Sequence, residues 1–235
     1  FSDDNLKKAQ DYLADLAANP ASSNTNSDGT YVSYASQAGG GLGGSTATAS
    51  EFLPYTITTG FSGTPNILPS LSRAGNIEEA YSMFTCTDYT SWLYPVTKGA
   101  TSIWERWNGY EAAFERNNQN RMNSFNHFAL GAVGQWMYEF QLGITSDHYN
   151  GVAGYKHFVL QPQAGADFTS LKGSYASNYG IIESSWTADG KGVMTSYKAT
   201  VPANSSATLY LPVSESVNSF TETNCVVFKG KTMRH

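Results

Sequence analysis

The sequence is poor in charge. Asp, Glu, Lys and Arg make up 14% of its 235 residues, and the formal net charge is −5. No basic patch or stripe is present, which removes the electrostatic footprint of a nucleic-acid binder. No window approaches the ~18 consecutive apolar residues of a membrane-spanning helix. Cysteine is scarce: Cys86 and Cys225 are far apart and lack metal-type spacing, so they read as thiols rather than a disulfide. The four histidines include no pair at metal-ligand spacing. There is no Gly-x-Ser-x-Gly elbow, and "AGGGLGG" is not followed by the Lys and Ser/Thr of a phosphate-cradling loop. These absences point away from metal centres, nucleotide cofactors and serine-triad chemistry. Phe1 is not an initiator methionine, and no basic-then-apolar signal segment follows it. The chain reads as a mature product or a piece of something longer, and the compartment stays open.

What the sequence does have is aromatic rings: 15 Tyr, 12 Phe and 5 Trp. Gly, Ser, Thr and Asn are also abundant. Such surfaces suit neutral hydroxylated ligands, because sugar C–H faces stack on rings while amides and hydroxyls bond the OH groups. A large aromatic core explains the same composition. One Asn-x-Ser site stands at Asn204.

The patterning divides the chain. Leu6, Ala9, Leu13, Leu16 and Ala17 have helical spacing over residues 4–18, and Pro20 stops that helix. Residues 20–50 are rich in Gly, Ser and Thr and read as a long insertion or surface loop. Two short helices are expected over residues 59–86, with the turn at Ala74-Gly75 and Asn76 capping the second. Pro95 is expected to end a helix over Tyr89 to Tyr94. Phe125, Phe128, Ala129, Ala132, Val133, Trp136, Met137 and Phe140 share one face of a helix over residues 124–143. Ser124 is its expected N-cap and Gly143 its stop, while Gly131 and Gly134 suggest close approach of a neighbouring helix. After about residue 155 the period changes to two. "KHFVLQP" is a strand, Asp189-Gly190 marks a hairpin, and "PAN" at 202–204 is a turn before "SATLYLPV". The chain thus reads as helical over 1–150 and as an antiparallel β-sandwich over 151–235.

The chemistry centres on "GATSIWERWNG", Gly99 to Gly109. Glu105 lies between Trp104 and Trp107, an aromatic setting that suits a carboxylate at a sugar site. The competing explanation is a surface salt bridge with Arg106 or Arg116. Glu111 and Glu115 sit in the polar stretch "YEAAFERNNQNR" and rank lower. His127 falls in the first turn of the long helix if Ser124 caps it. A neutral ring there can donate to a sugar hydroxyl, or serve as an ordinary structural histidine. Glycoside hydrolysis needs two carboxyl groups, roughly 6.5–9.5 Å apart in inverting enzymes, so one Glu cannot complete the scheme alone.

Four blocks, "TTGFSGTPNILPSLSRAG", "SWLYPVTKGATSIWERWNG", "SFNHFALGAVGQWMYEFQLGI" and "AGYKHFVLQP", resemble the C-terminal portion of the bacterial-type α-L-rhamnosidases, glycoside hydrolase family 78. "GIIESSWTADG" and "TVPANSSATLYLPVS" resemble the β-sandwich that closes those enzymes. The resemblance implies part of an (α/α)6 barrel followed by that sandwich, and hydrolysis of terminal α-L-rhamnose with inversion. It implies Glu105 as general base and His127 as a rhamnose contact, while Trp104 and Trp107 would shape the pocket on chemical grounds. The family's general acid belongs to an upstream acidic block that this sequence lacks, and too few helices are present for a complete barrel. The fragment alone is therefore expected to be inactive, and to pair with a missing N-terminal part or self-associate. No cofactor, nucleic acid or membrane span is expected. The alternatives are a non-catalytic carbohydrate-binding module and an inactive structural fragment.

Overall fold

The computed structural model describes residues 3–18, 53–110, 123–147, 152–165 and 167–212. The Gly/Ser/Thr-rich insertion at 20–50, Glu111, Glu115, Arg116, Cys225, His148 and His235 lie outside them.

The helical portion contains α1 (Asp3–Ala18), α2 (Thr64–Arg73), α3 (Ile77–Thr85) and α4 (Leu93–Thr97). It continues with α5 (Phe128–Gly131), α6 (Val133–Trp136) and a π-helical turn over Met137–Gln141. The apolar stripe of α1 delivers Leu13, Ala14 and Ala17 to a core built from Ile57, Leu68, Leu71, Ala80, Tyr81, Met83, Trp92 and Trp136. The α2–α3 turn forms as expected: Gly75 has φ 84, and Asn76 occupies the N-cap position of α3. The Asn76 amide does not cap that helix; it donates to the Gln10 carbonyl at 3.2 Å and ties α1 down.

Two helix expectations need correction. The helix near Pro95 does not end there; α4 begins at Leu93 and contains Pro95 in its first turn, where a missing N–H costs no hydrogen bond. The long amphipathic helix over 124–143 does not form as one unit. It starts at Phe128, breaks at Ala132 and widens into the π turn. Its buried stripe is accordingly Ala129, Leu130 and Trp136, whereas Phe128 is 85% exposed. Gly143 does stop it, with φ 73. A Cβ there would sit 2.2 Å from the Pro162 nitrogen, so both the dihedral and the close approach require glycine.

The second portion contains β1 (Ile144–Ser146), β2 (His157–Leu160), β3 (Ser170–Ser177), β4 (Gly180–Ala188), β5 (Met194–Thr200) and β6 (Ser206–Leu209). They form two three-stranded sheets, ordered β1-β2-β6 and β3-β4-β5. The second sheet is antiparallel throughout. The first is mixed, because β2 and β6 run parallel, which corrects the all-antiparallel expectation. Both sheets contribute to one apolar core of Leu142, Ile144, Phe158, Leu160 and Ile182. The two portions are joined by buried polar bonds: the Trp186 indole N–H donates to the Gln141 carbonyl at 2.7 Å, and Ser184 Oγ to the Leu142 carbonyl at 2.6 Å.

Candidate active site

The segment carrying Glu105 and the one carrying His127 lie side by side. The Glu105 N–H donates to the Ser124 carbonyl at 2.8 Å, and the His127 N–H donates to the Ile103 carbonyl at 2.9 Å. Ser102 Oγ donates to the Phe125 carbonyl, and the Asn123 side-chain amide to the Gly109 carbonyl at 2.9 Å. These bonds form a clip that pins two residues distant in sequence to the same end of the helical portion. The approach is close at Gly109, where a Cβ would meet the Trp104 ring at 3.1 Å.

Within the clip the Glu105 side chain is half-buried. Its Oε2 accepts from the Ser124 backbone N–H at 2.7 Å. Among the described residues its other oxygen accepts no hydrogen bond. His127, not Ser124, is the N-cap of α5: its Nδ1 accepts from the Ala129 N–H at 3.2 Å. The Ser124 cap expected from the sequence is thus displaced by three residues, and Ser124 instead binds Glu105. With Nδ1 engaged as an acceptor, Nε2 is the ring nitrogen left to donate. Phe61 and Phe128 each stack on the imidazole with ring centroids 5.1 Å away.

His127 opens onto a hollow of about 800 Å³ whose other walls include Ile103, Asn126, Phe128, Gly131, Ala132 and Gln135. His127 caps α5, Gly131 ends it and Gln135 belongs to α6, and all three line the hollow. Glu105 lies beside this hollow through the clip but does not line it. Trp104 is buried, with its ring edge-on to Phe125 at 5.5 Å and stacked on Tyr110 at 6.5 Å. Trp107 packs on the helical core, edge-on to Trp92 at 5.8 Å. Neither tryptophan lines the hollow.

Sequence reasoning missed Phe61 and Gln135. Nothing in the spacing of "TGFSG" connects Phe61 to a histidine 66 positions later. Gln135 was legible, since it stands two helical steps of four from His127. Among the described residues no group of three or more His, Cys, Asp or Glu is arranged to hold a metal ion. No described helix is long and apolar enough to cross a membrane.

Comparison with known proteins decides the lineage. Residues 44–140 match the bacterial alpha-L-rhamnosidase 6 hairpin glycosidase domain, and residues 143–225 match the bacterial alpha-L-rhamnosidase C-terminal domain. The chain belongs to the bacterial α-L-rhamnosidase family. Within this family, an alpha-L-rhamnosidase of Streptomyces avermitilis is 36% identical over 164 residues, covering 69% of this chain and 15% of that protein. One from Formosa agariphila is 38% identical over 160 residues, covering 68% of this chain and 16% of that protein. The crystal structure of the Streptomyces avermitilis enzyme complexed with L-rhamnose matches with a TM-score of 0.56 at 35% identity, covering 67% of this chain and 15% of that one. The Aspergillus terreus α-L-rhamnosidase matches with a TM-score of 0.57 at 32% identity, covering 67% and 18%. The chain therefore spans about a sixth of the length of these relatives. Its helical portion followed by a β portion agrees with the order of the two matched domains.

Proposed function

We propose that this chain is the C-terminal portion of an inverting glycoside hydrolase that releases terminal α-L-rhamnose. Residues 1–150 would then complete part of an (α/α)6 barrel, and residues 151–235 a closing β-sandwich into which β1 reaches back. The observation that supports the reading is the clip, which sets the segment bearing Glu105 beside the one bearing His127, and His127 lines a hollow together with Ile103 and Phe128.

In this reading Glu105 is the general base. One of its oxygens is oriented by the Ser124 N–H, and the other is available to take a proton from the attacking water. His127 binds the sugar. Its Nε2–H points a donor at a ring hydroxyl, and Phe61 and Phe128 fix the plane of the imidazole. The general acid that protonates the leaving oxygen belongs to the upstream part of the enzyme, so the 235-residue chain alone does not turn over. Trp104 and Trp107 shape the pocket from behind, by packing the segment that presents Glu105.

The substrate class and stereochemistry are tested together on the intact enzyme. Aryl α-L-rhamnoside is expected to be hydrolysed in preference to the fucoside and glucoside analogues, and NMR taken within the first minutes is expected to show the β-anomer released. Equal rates on all three sugars, or release of the α-anomer, would contradict the proposal.

A further inference from the structure

Neither side of the clip is held by a helix or a strand. Residues 103–106 and 123–127 are both irregular backbone, so no repeating ladder fixes the direction of their peptide groups. The peptide N–H that reaches the Glu105 carboxylate is nevertheless braced on both sides. Upstream, the Asn123 side-chain amide donates to the Gly109 carbonyl at 2.9 Å. Downstream, the Ser124 hydroxyl closes a turn on Asn126. Its Oγ accepts from the Asn126 N–H at 3.1 Å and donates to the Asn126 carbonyl at 3.0 Å. A side-chain oxygen bonded two residues on mimics a backbone turn and fixes the dihedrals in between.

Ser124 meets Glu105 at two points. Its carbonyl accepts from the Glu105 N–H at 2.8 Å, and its N–H donates to Glu105 Oε2 at 2.7 Å. Main chain and carboxylate of one residue are thus tied to the main chain of the other, and the carboxylate follows the Ser124 backbone. The same turn leads into His127, but the histidine has anchors of its own. Its N–H donates to the Ile103 carbonyl at 2.9 Å, and its Nδ1 caps α5. Ser102 Oγ also bonds this stretch, at the Phe125 carbonyl, one residue beyond the group that reaches Glu105. The Ser124 hydroxyl therefore bears on the carboxylate while the histidine stays anchored.

We propose that Ser124 is a positioning residue for the reaction: its side-chain hydroxyl sets the turn that aims the Ser124 N–H, and through it the Glu105 carboxylate, and it takes no part in sugar binding. The inference rests on the proposed function, which makes Glu105 the general base. A base must stand within hydrogen-bond reach of the proton it takes, so a small displacement slows the chemical step without weakening substrate binding.

The test is steady-state kinetics of the intact enzyme on an aryl α-L-rhamnoside, with the folding of each variant checked by circular dichroism. Ser124→Ala is expected to lower kcat about 10–10²-fold and to leave KM within about twofold of the parent value. Ser124→Thr keeps the hydroxyl and the turn, and is expected to hold kcat within about threefold of the parent. Ser124→Val has the shape of the Thr variant without the hydroxyl, and is expected to be as slow as Ser124→Ala. Ser177 supplies a matched control. Its Oγ accepts from the Tyr179 N–H at 3.1 Å and donates to the Gly180 carbonyl at 2.8 Å, a turn of the same kind in the β3–β4 hairpin. Ser177→Ala is expected to leave kcat and KM unchanged. In a Glu105→Gln background, Ser124→Ala is expected to slow the enzyme no further, because the group it positions is gone. Equal kcat values for the Thr and Val variants would overturn the inference and leave the proposed function standing. So would a full, additive effect of Ser124→Ala on top of Glu105→Gln. An unchanged kcat for Glu105→Gln alone would overturn the proposed function and this inference with it.

Discussion

Glu105 and His127 hold their positions through backbone hydrogen bonds rather than through each other. The two roles proposed for His127, capping α5 and contacting sugar, are separable. Asn is as good an N-cap as any residue, whereas Ala is not. His127→Asn is therefore expected to keep thermal stability close to that of the parent chain and to lose rhamnoside affinity. His127→Ala is expected to lose affinity and also about 1 kcal/mol of stability. Denaturant unfolding combined with ligand titration separates the two, and equal rhamnoside affinity of all three proteins would remove the histidine from the site. Glu105 and His127 stood out in the sequence because the residue types were unusual for their settings. Their proximity was not legible there, because it depends on Ser124 and Ile103 offering backbone groups across a gap of about 20 residues.

At the scale of elements, the glycines of the 124–143 region do different jobs. Gly143 meets the β2 exit at Gln161 and Pro162 and holds a left-handed φ. Gly143→Ala is expected to cost at least about 2 kcal/mol, through strain and the displaced Pro162 backbone. Gly134→Ala has open space and a helical backbone, so it is expected to stabilise the chain by about 0.5–1 kcal/mol. Thermal melts of the two variants moving in the same direction would contradict this. The α2–α3 turn, the Asp189-Gly190 hairpin and the strands after residue 155 were all legible, because local turn chemistry and period-two alternation fix them. The broken helix was not. Its eight apolar positions fit a straight helix, but the clip takes Phe125 out of it and makes His127 the cap, and the π turn then shifts every later residue around the axis. The parallel β2–β6 pairing was equally hidden, since alternation sets which face a strand shows and not which neighbour it takes.

At the scale of the whole molecule, the described residues leave apolar side chains exposed. Leu6 and Tyr12 of α1 are about half exposed, Phe61 and Phe125 are partly exposed, and Phe128 in the wall of the hollow is almost fully exposed. The matched relatives are about six times longer than the matched segment, and the remaining hairpins of a six-hairpin domain are the proposed cover for α1. The isolated chain is expected to self-associate at micromolar concentration by light scattering, and Leu6→Lys with Tyr12→Lys is expected to reduce this. A stable monomer across that range would remove the need for a covering partner. The helical-then-β order of the chain was readable from the change of hydrophobic period, whereas the hollow beside His127 exists only once the clip has formed.

The role of Glu105 is the claim on which the functional reading depends. The most direct test is turnover of an aryl α-L-rhamnoside by the intact enzyme carrying Glu105→Gln, a change that keeps the side-chain shape and the acceptor for the Ser124 N–H. The expected result is a fall in kcat of about 10²–10⁴-fold with rhamnose still bound. A kcat within about twofold of the parent enzyme, well short of the loss expected for a general base, would contradict it.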